Sequence, residues 1–212
     1  MRMLPCGDAA VLVEVDDLET VLRLVAAVEA ERESGGFEGV VDVVPAARTL
    51  LLRCRPGGRA LGRSVARLRE LELPDEPPAP GEEVTIPVVY DGEDLDDVAE
   101  LTGLSPKEVV EHHQQTQWRV AFTGFAPGFG YLVGGPSSAW GSLEVPRREE
   151  PRTKVPTGSV GLAGEFTGVY PRSSPGGWQL IGRTDAKIWN PRRKSPAMLA
   201  PGNLVRFEQV DV

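Results

Sequence analysis

Apolar positions near the start of the chain alternate between two periods. Ala9 to Val15 reads as a strand, and Asp16 then caps a helix, with Glu19 three residues on as its capping-box partner. Leu18, Val21, Leu22, Val25 and Val28 keep helical spacing until Ser34-Gly35-Gly36 stops the run. Val40 to Val44 and Thr49 to Cys54 read as short strands on either side of Pro45. Ala60, Leu61, Ser64, Val65, Leu68 and Leu71 mark a second amphipathic helix. Strand–helix alternation on this scale predicts a small α/β sandwich.

The pattern then breaks. Leu73 to Glu83, LPDEPPAPGEE, holds four prolines among acidic residues and suits neither element, so it reads as a linker. Val84 to Val89 is a strand, and Leu95, Val98 and Ala99 predict a short helix. Ser105-Pro106-Lys107-Glu108 is a helix start with cap, first-turn proline and box. From Arg119 onward short strands are broken by glycine and proline. Val160, Leu162, Phe166 and Tyr170 share one parity, with Gly164 and Gly168 between them, as in one closely curved strand. Pro175-Gly176-Gly177 reads as a tight turn, and Trp178 to Ile181 and Leu204 to Val210 as further strands. Short strands with glycine corners favour a barrel or sandwich. The expected fold class is α+β, with an N-terminal α/β domain over residues 1–80 and a β-barrel domain over 81–212.

Composition narrows the partners. The 212 residues carry a net charge of −8, 31 acidic against 23 basic, which argues against nucleic acid or an anionic membrane. No apolar run is long enough to span a bilayer, and the N-terminus does not read as a signal peptide, so a cytoplasmic location is expected. Cys6 and Cys54 both lie among apolar neighbours and read as buried free thiols.

Familiar catalytic motifs are absent. There is no Walker A loop; Gly128-Phe129-Gly130 lacks the third glycine of a dinucleotide fingerprint; and Ser159 in T-G-S-V-G is out of register for a nucleophile elbow. No metal-ligand cluster is visible. Three groups of residues remain. His113 follows the apolar face of its helix, as a hydrogen-bonded core histidine or as a proton carrier. Arg147, Arg148, Arg152 and Lys154 lie among prolines and glutamates, as a solvated loop or as a rigid clamp for a carboxylate or phosphate. GFAPGFGYLVGG (Gly124 to Gly135) and SPGGWQLIGRT combine glycines with rings, either to turn the chain or to bare amides beside aromatic walls.

RVAFTGFAPGFGYL, VPRREEPRTKVPTGSVGLAG, TGVYPRSSPGGWQLIGRT and PAMLAPGNLVRF resemble the family of allophanate hydrolase subunit 1, also called the 5-oxoprolinase B-type subunit or KipI. IPVVYDGEDLDDVAELTGLSPKEVVEHH fits the same pattern and puts His113 at the motif histidine. The resemblance covers nearly the whole chain and implies that the second domain is a cyclophilin-like β-barrel. It implies a hydrolase component that opens a cyclic amide, converting 5-oxoproline to glutamate with ATP. The partners implied are allophanate hydrolase subunit 2 (the C-type component of 5-oxoprolinase) and a LamB/YcsF-type (A-type) component. The chain alone is expected to be inactive. On these motifs the expected catalytic residues are His113, Arg147, Arg152 and Arg183. The expected substrate-binding set is Phe125, Pro127, Gly128, Phe129, Tyr131, Ser159, Gly176, Gly177, Trp178 and Thr184. Glu165 stands where the family pattern has Gln, Asn203 where it has Asp, and Gln114-Gln115 where it has Thr-Ser. Two other roles share this barrel: a KipI-like inhibitor of a histidine kinase, and a carboxyltransferase-type component of urea or allophanate metabolism.

Overall fold

A computed structural model describes residues 1–76, 78–135, 137–141 and 143–211. The chain divides into two compact units, Met1–Ala79 and Pro80–Val212. Pro77, within the expected linker, and Val212, at the end of the expected second domain, lie outside the described residues. The described positions between Glu70 and Glu83 form neither helix nor strand.

In the first unit β1 (Arg2–Cys6), β2 (Ala10–Glu14), β3 (Val40–Pro45) and β4 (Thr49–Cys54) make an antiparallel sheet in the order β1-β2-β4-β3. Helices α1 (Leu18–Glu33) and α2 (Ala60–Glu70) belong to the same unit. Val13, Leu50 and Leu52 from the sheet pack with Val21, Leu24 and Val28 of α1 and Leu68 of α2 in one core. Two details differ from expectation. The α1 cap is Asp17, not Asp16, because only its carboxylate reaches the Thr20 amide, at 2.8 Å. β1 was not expected: RMLPC has no clean alternation, and pairing with β2 defines it as a strand, so Cys6 at its end is exposed where burial was expected, while Cys54 is buried.

The second unit is built on β5 (Glu83–Val88), α3 (Leu95–Thr102), α4 (Pro106–Gln115), β6 (Trp118–Thr123), β7 (Gly130–Gly134), β8 (Arg152–Val155), β9 (Ser159–Ala163), β10 (Phe166–Val169), β11 (Ser174–Gly176), β12 (Gln179–Arg183) and β13 (Leu204–Gln209). Seven strands form a sheet in the order β12-β9-β10-β7-β6-β13-β5. Just beyond β5, Val89 exchanges both backbone hydrogen bonds with Arg183 of β12, each 2.9 Å, and nearly closes the sheet into a barrel. The interior holds Ile86, Val88, Trp118, Val120, Leu132, Val160, Leu162, Val169, Ile181, Val205 and Phe207, with Val98 of α3 and Val109 of α4 joining them. The expected capping box starts α4: Ser105 Oγ accepts from the Glu108 amide, and Glu108 accepts from the Ser105 amide at 2.8 Å.

Residues 160 to 170 are not one curved strand. Gly164, with φ +59°, and Glu165 turn β9 back on β10, so Ala163 faces Phe166. The turn reverses the parity: Val160 and Leu162 point inward, whereas Phe166 and Tyr170 lie in a second cluster on the other face. Pro175-Gly176 is likewise no tight turn. Ser174–Gly176 is a strand paired with β8, so part of the arginine-bearing loop is ladder-bound.

Candidate functional site

The outer face of β6, β7, β9, β10 and β12 carries a continuous layer of rings. Phe129 is its hub, edge-on to Phe125, Tyr131, Tyr170 and Trp178 at centroid distances of 5.4, 5.1, 5.4 and 5.3 Å. Phe122 stacks on Tyr131 at 4.5 Å, and Phe166 meets both edge-on. The neighbouring glycines mainly make room for these rings. A Cβ on Gly168 would stand 3.1 Å from both Phe129 and Trp178, and one on Gly176 would collide with the Tyr170 hydroxyl. The density of glycine beside aromatics is therefore largely a packing requirement, and bare amides are not its main cause.

The Gly124–Phe129 loop is tight. The Ala126 amide donates to Gly124 O at 2.6 Å and the Phe129 amide to Ala126 O at 2.9 Å. Phe125 is held at φ +61°, a conformation that costs a bulky side chain about 1–3 kcal/mol, with its ring 58% exposed. Phe125, Pro127 and Gly128 line a hollow of about 430 Å³ with Thr123, Gly124, Ala126, Trp189 and Ala197.

Asp94 shapes the arginine segment. Its carboxylate, 2% exposed, accepts from Arg148 Nη1 at 2.6 Å, Arg152 Nη2 at 2.7 Å and the Leu180 amide at 2.6 Å. Burial alone would raise this carboxyl. Hydrogen bonds from Arg152 and the Leu180 amide, with the charges of Arg152 and Arg148, outweigh it and hold Asp94 below the usual range. Arg152 also reaches Glu93 at 3.1 Å, and the Arg148 amide donates to Gly177 O at 2.9 Å. Before Arg147, Val145 exchanges both backbone hydrogen bonds with Gly164, at 3.0 and 2.6 Å, so the segment is pinned on both sides.

Arg147 itself is exposed and pairs with no carboxylate among the described residues. Residues 146–148 form neither helix nor strand, and the Arg147 charge reaches the Tyr131 and Tyr170 hydroxyls on the ring side. Burial raises the hydroxyls of Tyr131 and Tyr170, and the Arg147 charge opposes that rise at both. At Tyr170 the Trp178 amide, as a hydrogen-bond donor, opposes it too. The outcome is an exposed guanidinium within electrostatic reach of two phenols that belong to an apolar ring layer. Such a set suits a small, flat, carboxylate-bearing molecule.

The other expected residues lie elsewhere. Arg183 pairs with Asp91 at 3.0 Å on the seam where the barrel closes. Ser159 faces Arg183 in the ladder and is buried. Thr184 is buried too, and its hydroxyl accepts from the Ala186 amide at 3.1 Å. His113 is 0% exposed and sits at the barrel interior. Thr167 Oγ1 donates to Gly161 O at 3.2 Å, so it accepts from His113 Nε2 at 2.9 Å, and Nδ1 accepts from the Tyr90 hydroxyl at 2.7 Å. Phe207 lies 4.4 Å from the imidazole, ring to ring. Burial pushes the His113 pKa down to about 3, so the ring is neutral. With both nitrogens engaged and no exposed surface, His113 is placed as a core histidine. In this chain it reaches no surface from which a substrate proton could be taken.

Sequence reasoning missed Asp94, Tyr170 and Trp189. Asp94 is hidden in the acidic run DGEDLDD, where no pattern singles out one carboxylate, and its side chain makes no cap hydrogen bond. Tyr170 lies within the motif TGVYPRSSPGGWQLIGRT, but its pattern there reads only as a strand residue. At the β9–β10 turn, partial burial and then the Glu144 charge raise the carboxyl of Glu165. Among the described residues no group of three or more His, Cys, Asp or Glu is arranged to hold a metal ion. No helix there is long and apolar enough to cross a membrane.

A family model of the carboxyltransferase domain, subdomains C and D, matches residues 1–199. The chain belongs to this family. It is 40% identical over 207 residues to the 5-oxoprolinase B-type subunit of Escherichia coli O157:H7, covering 95% of this chain and 92% of that relative. The 5-oxoprolinase B-type subunit of Bacillus subtilis (strain 168) is 36% identical over 222 residues, 96% of this chain and 90% of the relative. Among solved structures TTHA0988 is 36% identical with a TM-score of 0.76; the match takes in 96% of this chain but only 40% of TTHA0988. Kluyveromyces lactis urea carboxylase has a TM-score of 0.80 at 19% identity, over 99% of this chain and 22% of its own, and shares the fold. The matched span takes in the first unit and the ring-bearing segments from Gly124 to Thr184.

Proposed function

We propose that the chain is the B-type subunit of an ATP-dependent 5-oxoprolinase, working only with its C-type and LamB/YcsF-type (A-type) partners. Both relatives above carry the name of the B-type component. In TTHA0988 the matched region is 40% of a longer chain, as suits a unit that works beside further polypeptide.

The observation that carries the site is Arg147: exposed, unpaired among the described residues, and beside the Tyr131 and Tyr170 hydroxyls. The 5-oxoproline carboxylate takes the guanidinium, its flat ring lies against Phe129, Tyr131 and Trp178, and the phenols donate to lactam or carboxylate oxygens. Ring opening breaks the lactam C–N bond and adds water across it. Donors fixed beside the carbonyl oxygen stabilise the negative charge that develops there. Arg148 and Arg152 hold the segment through Asp94, so Arg152 positions the loop and does not touch substrate. Neither glycine-rich stretch opens a helix: the first leads into β7 and the second into β12, so neither forms a helix N-terminal phosphate cradle. On this reading ATP is used by the complex.

Co-expression with the C-type and A-type partners, followed by an assay of glutamate release from 5-oxoproline and ATP, tests the reading. Turnover that requires this chain and falls at least a hundredfold with Arg147→Ala supports it; turnover without the chain refutes it. Exposed Phe125 and Trp189 favour a second reading, a protein-binding inhibitor of a histidine kinase. A stable kinase complex and no turnover on 5-oxoproline, urea or allophanate would select that reading.

A further inference from the structure

Two aromatic side chains are notably exposed, Phe125 at 58% and Trp189 at 40%, and both line the same hollow. Its remaining lining, Thr123, Gly124, Ala126, Pro127, Gly128 and Ala197, carries no charge. The floor is rigid. Gly128 lies so close to Trp189 that an added Cβ would stand 2.9 Å from the Trp189 Cβ. Phe125 is held in a backbone conformation that disfavours bulky residues, and such strain persists where the surroundings over-determine it.

The hairpin leaving Trp189 adds charge. Trp189 bridges Ala197, and the Asn190 amide donates to Pro196 O at 2.9 Å, which closes the loop. Its tip, Arg192-Arg193-Lys194, is pinned by the Arg192 amide on Asn190 Oδ1 at 3.0 Å and the Arg193 amide on Asn190 O at 3.1 Å. None of the three cations has an ion pair among the described residues. A chain of net charge −8 therefore presents three consecutive unpaired cations beside its exposed ring pair. Aromatic anchors in a desolvated hollow with a charged rim are the usual anatomy of a protein–protein hot spot. The overall negative charge opposes nucleic acid and anionic membranes as occupants.

We propose that this hollow is a docking surface for a partner protein: an apolar side chain of the partner lodges between Phe125 and Trp189, and carboxylates flanking it face Arg192, Arg193 and Lys194. The surface adjoins the candidate site through one ring. Phe125 is edge-on to Phe129 at 5.4 Å and to Tyr170 at 6.2 Å, so an occupant of the hollow bears on the layer beside Arg147. This rests on the reading of the chain as one component of a larger complex, and it names where the contact is made.

The test uses the full chain with the C-type 5-oxoprolinase polypeptide as probe. Association is followed by sedimentation velocity, and Trp189 by iodide quenching of emission. Trp118, Trp140 and Trp178 are buried, so the quenchable emission reports Trp189. Association is expected to weaken at least tenfold with Trp189→Ala, to be lost with the triple change Arg192→Glu, Arg193→Glu, Lys194→Glu, and to fall with salt. Iodide quenching should disappear in the complex. Wild-type association by both variants, or unchanged quenching in the complex, overturns the proposal. So does binding of RNA or anionic vesicles through the cationic tip while association with the C-type polypeptide ignores the triple change. If a complex sensitive to these changes forms but does not open 5-oxoproline, the enzyme reading fails and the docking surface stands. If turnover ignores both variants, the docking surface fails and the enzyme reading stands.

Discussion

On the inner face of the barrel sheet His113 stands among Tyr90, Trp118, Trp140 and Phe207; on the outer face Arg147 stands beside Tyr131 and Tyr170, over Phe129 and Trp178. Both settings join a nitrogen-rich side chain to rings and hydroxyls, and strand β10 serves both, Thr167 inward and Tyr170 just past its outer end. What separates them is partnering. Inside, each imidazole nitrogen has a hydroxyl within 2.9 Å, and the ring is sealed from water. Outside, Arg148 and Arg152 are ion-paired with Asp94, and exposed Arg147 has no such carboxylate among the described residues. A polar group with its hydrogen bonds met inside the chain maintains a fold; one held in place but unmet can act on another molecule.

Four changes test this contrast, the largest effect first. Phe129→Ala removes the outer hub and should cost about 3–5 kcal/mol in urea unfolding. A loss under about 1 kcal/mol would mean that the outer layer is loose surface and not a preorganised floor. Asp94→Ala strips two largely buried guanidiniums of their carboxylate and should cost about 3 kcal/mol. It should also blunt any Arg147-dependent activity, because the segment loses its anchor. The inner histidine has a pH signature. Its folded pKa of about 3 lies below the unfolded value of 6.5, so the unfolded chain takes up the proton first as pH falls. Stability is full above about pH 6.5 and declines towards pH 3, by at most about 1.4 kcal/mol per unit. Asp94 is depressed and loses its contribution only below its unfolded value of 3.8, while Glu165, raised by burial and the Glu144 charge, gains stability as pH falls, so a decline between pH 7 and 5 carries the sign of His113 and not of either carboxyl. His113→Gln should flatten denaturation midpoints over that interval; an equally steep profile would contradict a neutral buried imidazole. Arg147→Ala should change stability least, by under about 0.5 kcal/mol. It should shift the tyrosine titration upward, as the opposing charge at Tyr131 and Tyr170 is removed.

Much of this is legible in the sequence, and the remainder fails for definite reasons. The Ser105 box, the strand from Thr49 to Cys54 and the short barrel strands follow from local pattern, which local hydrogen bonding enforces. The β9–β10 hairpin reads falsely as one strand because Gly164 and Glu165 insert two turn residues, and an even count keeps apparent parity while reversing the face. Arg148 and Arg152 meet Asp94 at separations of 54 and 58 positions, His113 meets Tyr90 and Thr167 at 23 and 54, and no periodicity reports such pairings. The motifs place the arginines in one segment, and only the fold assigns Arg148 and Arg152 to scaffold and leaves Arg147 open.

The most direct measurement is steady-state opening of 5-oxoproline by the reconstituted complex, with wild-type chain, Arg147→Lys and His113→Gln compared at equal folded fraction. Arg147→Lys keeps the charge but loses the fork, and should raise KM or lower kcat/KM at least tenfold, while His113→Gln leaves kcat/KM near wild type. The reverse pattern, an indifferent Arg147 and a kcat abolished by His113→Gln without loss of folding, would contradict the assignment of function to the outer face.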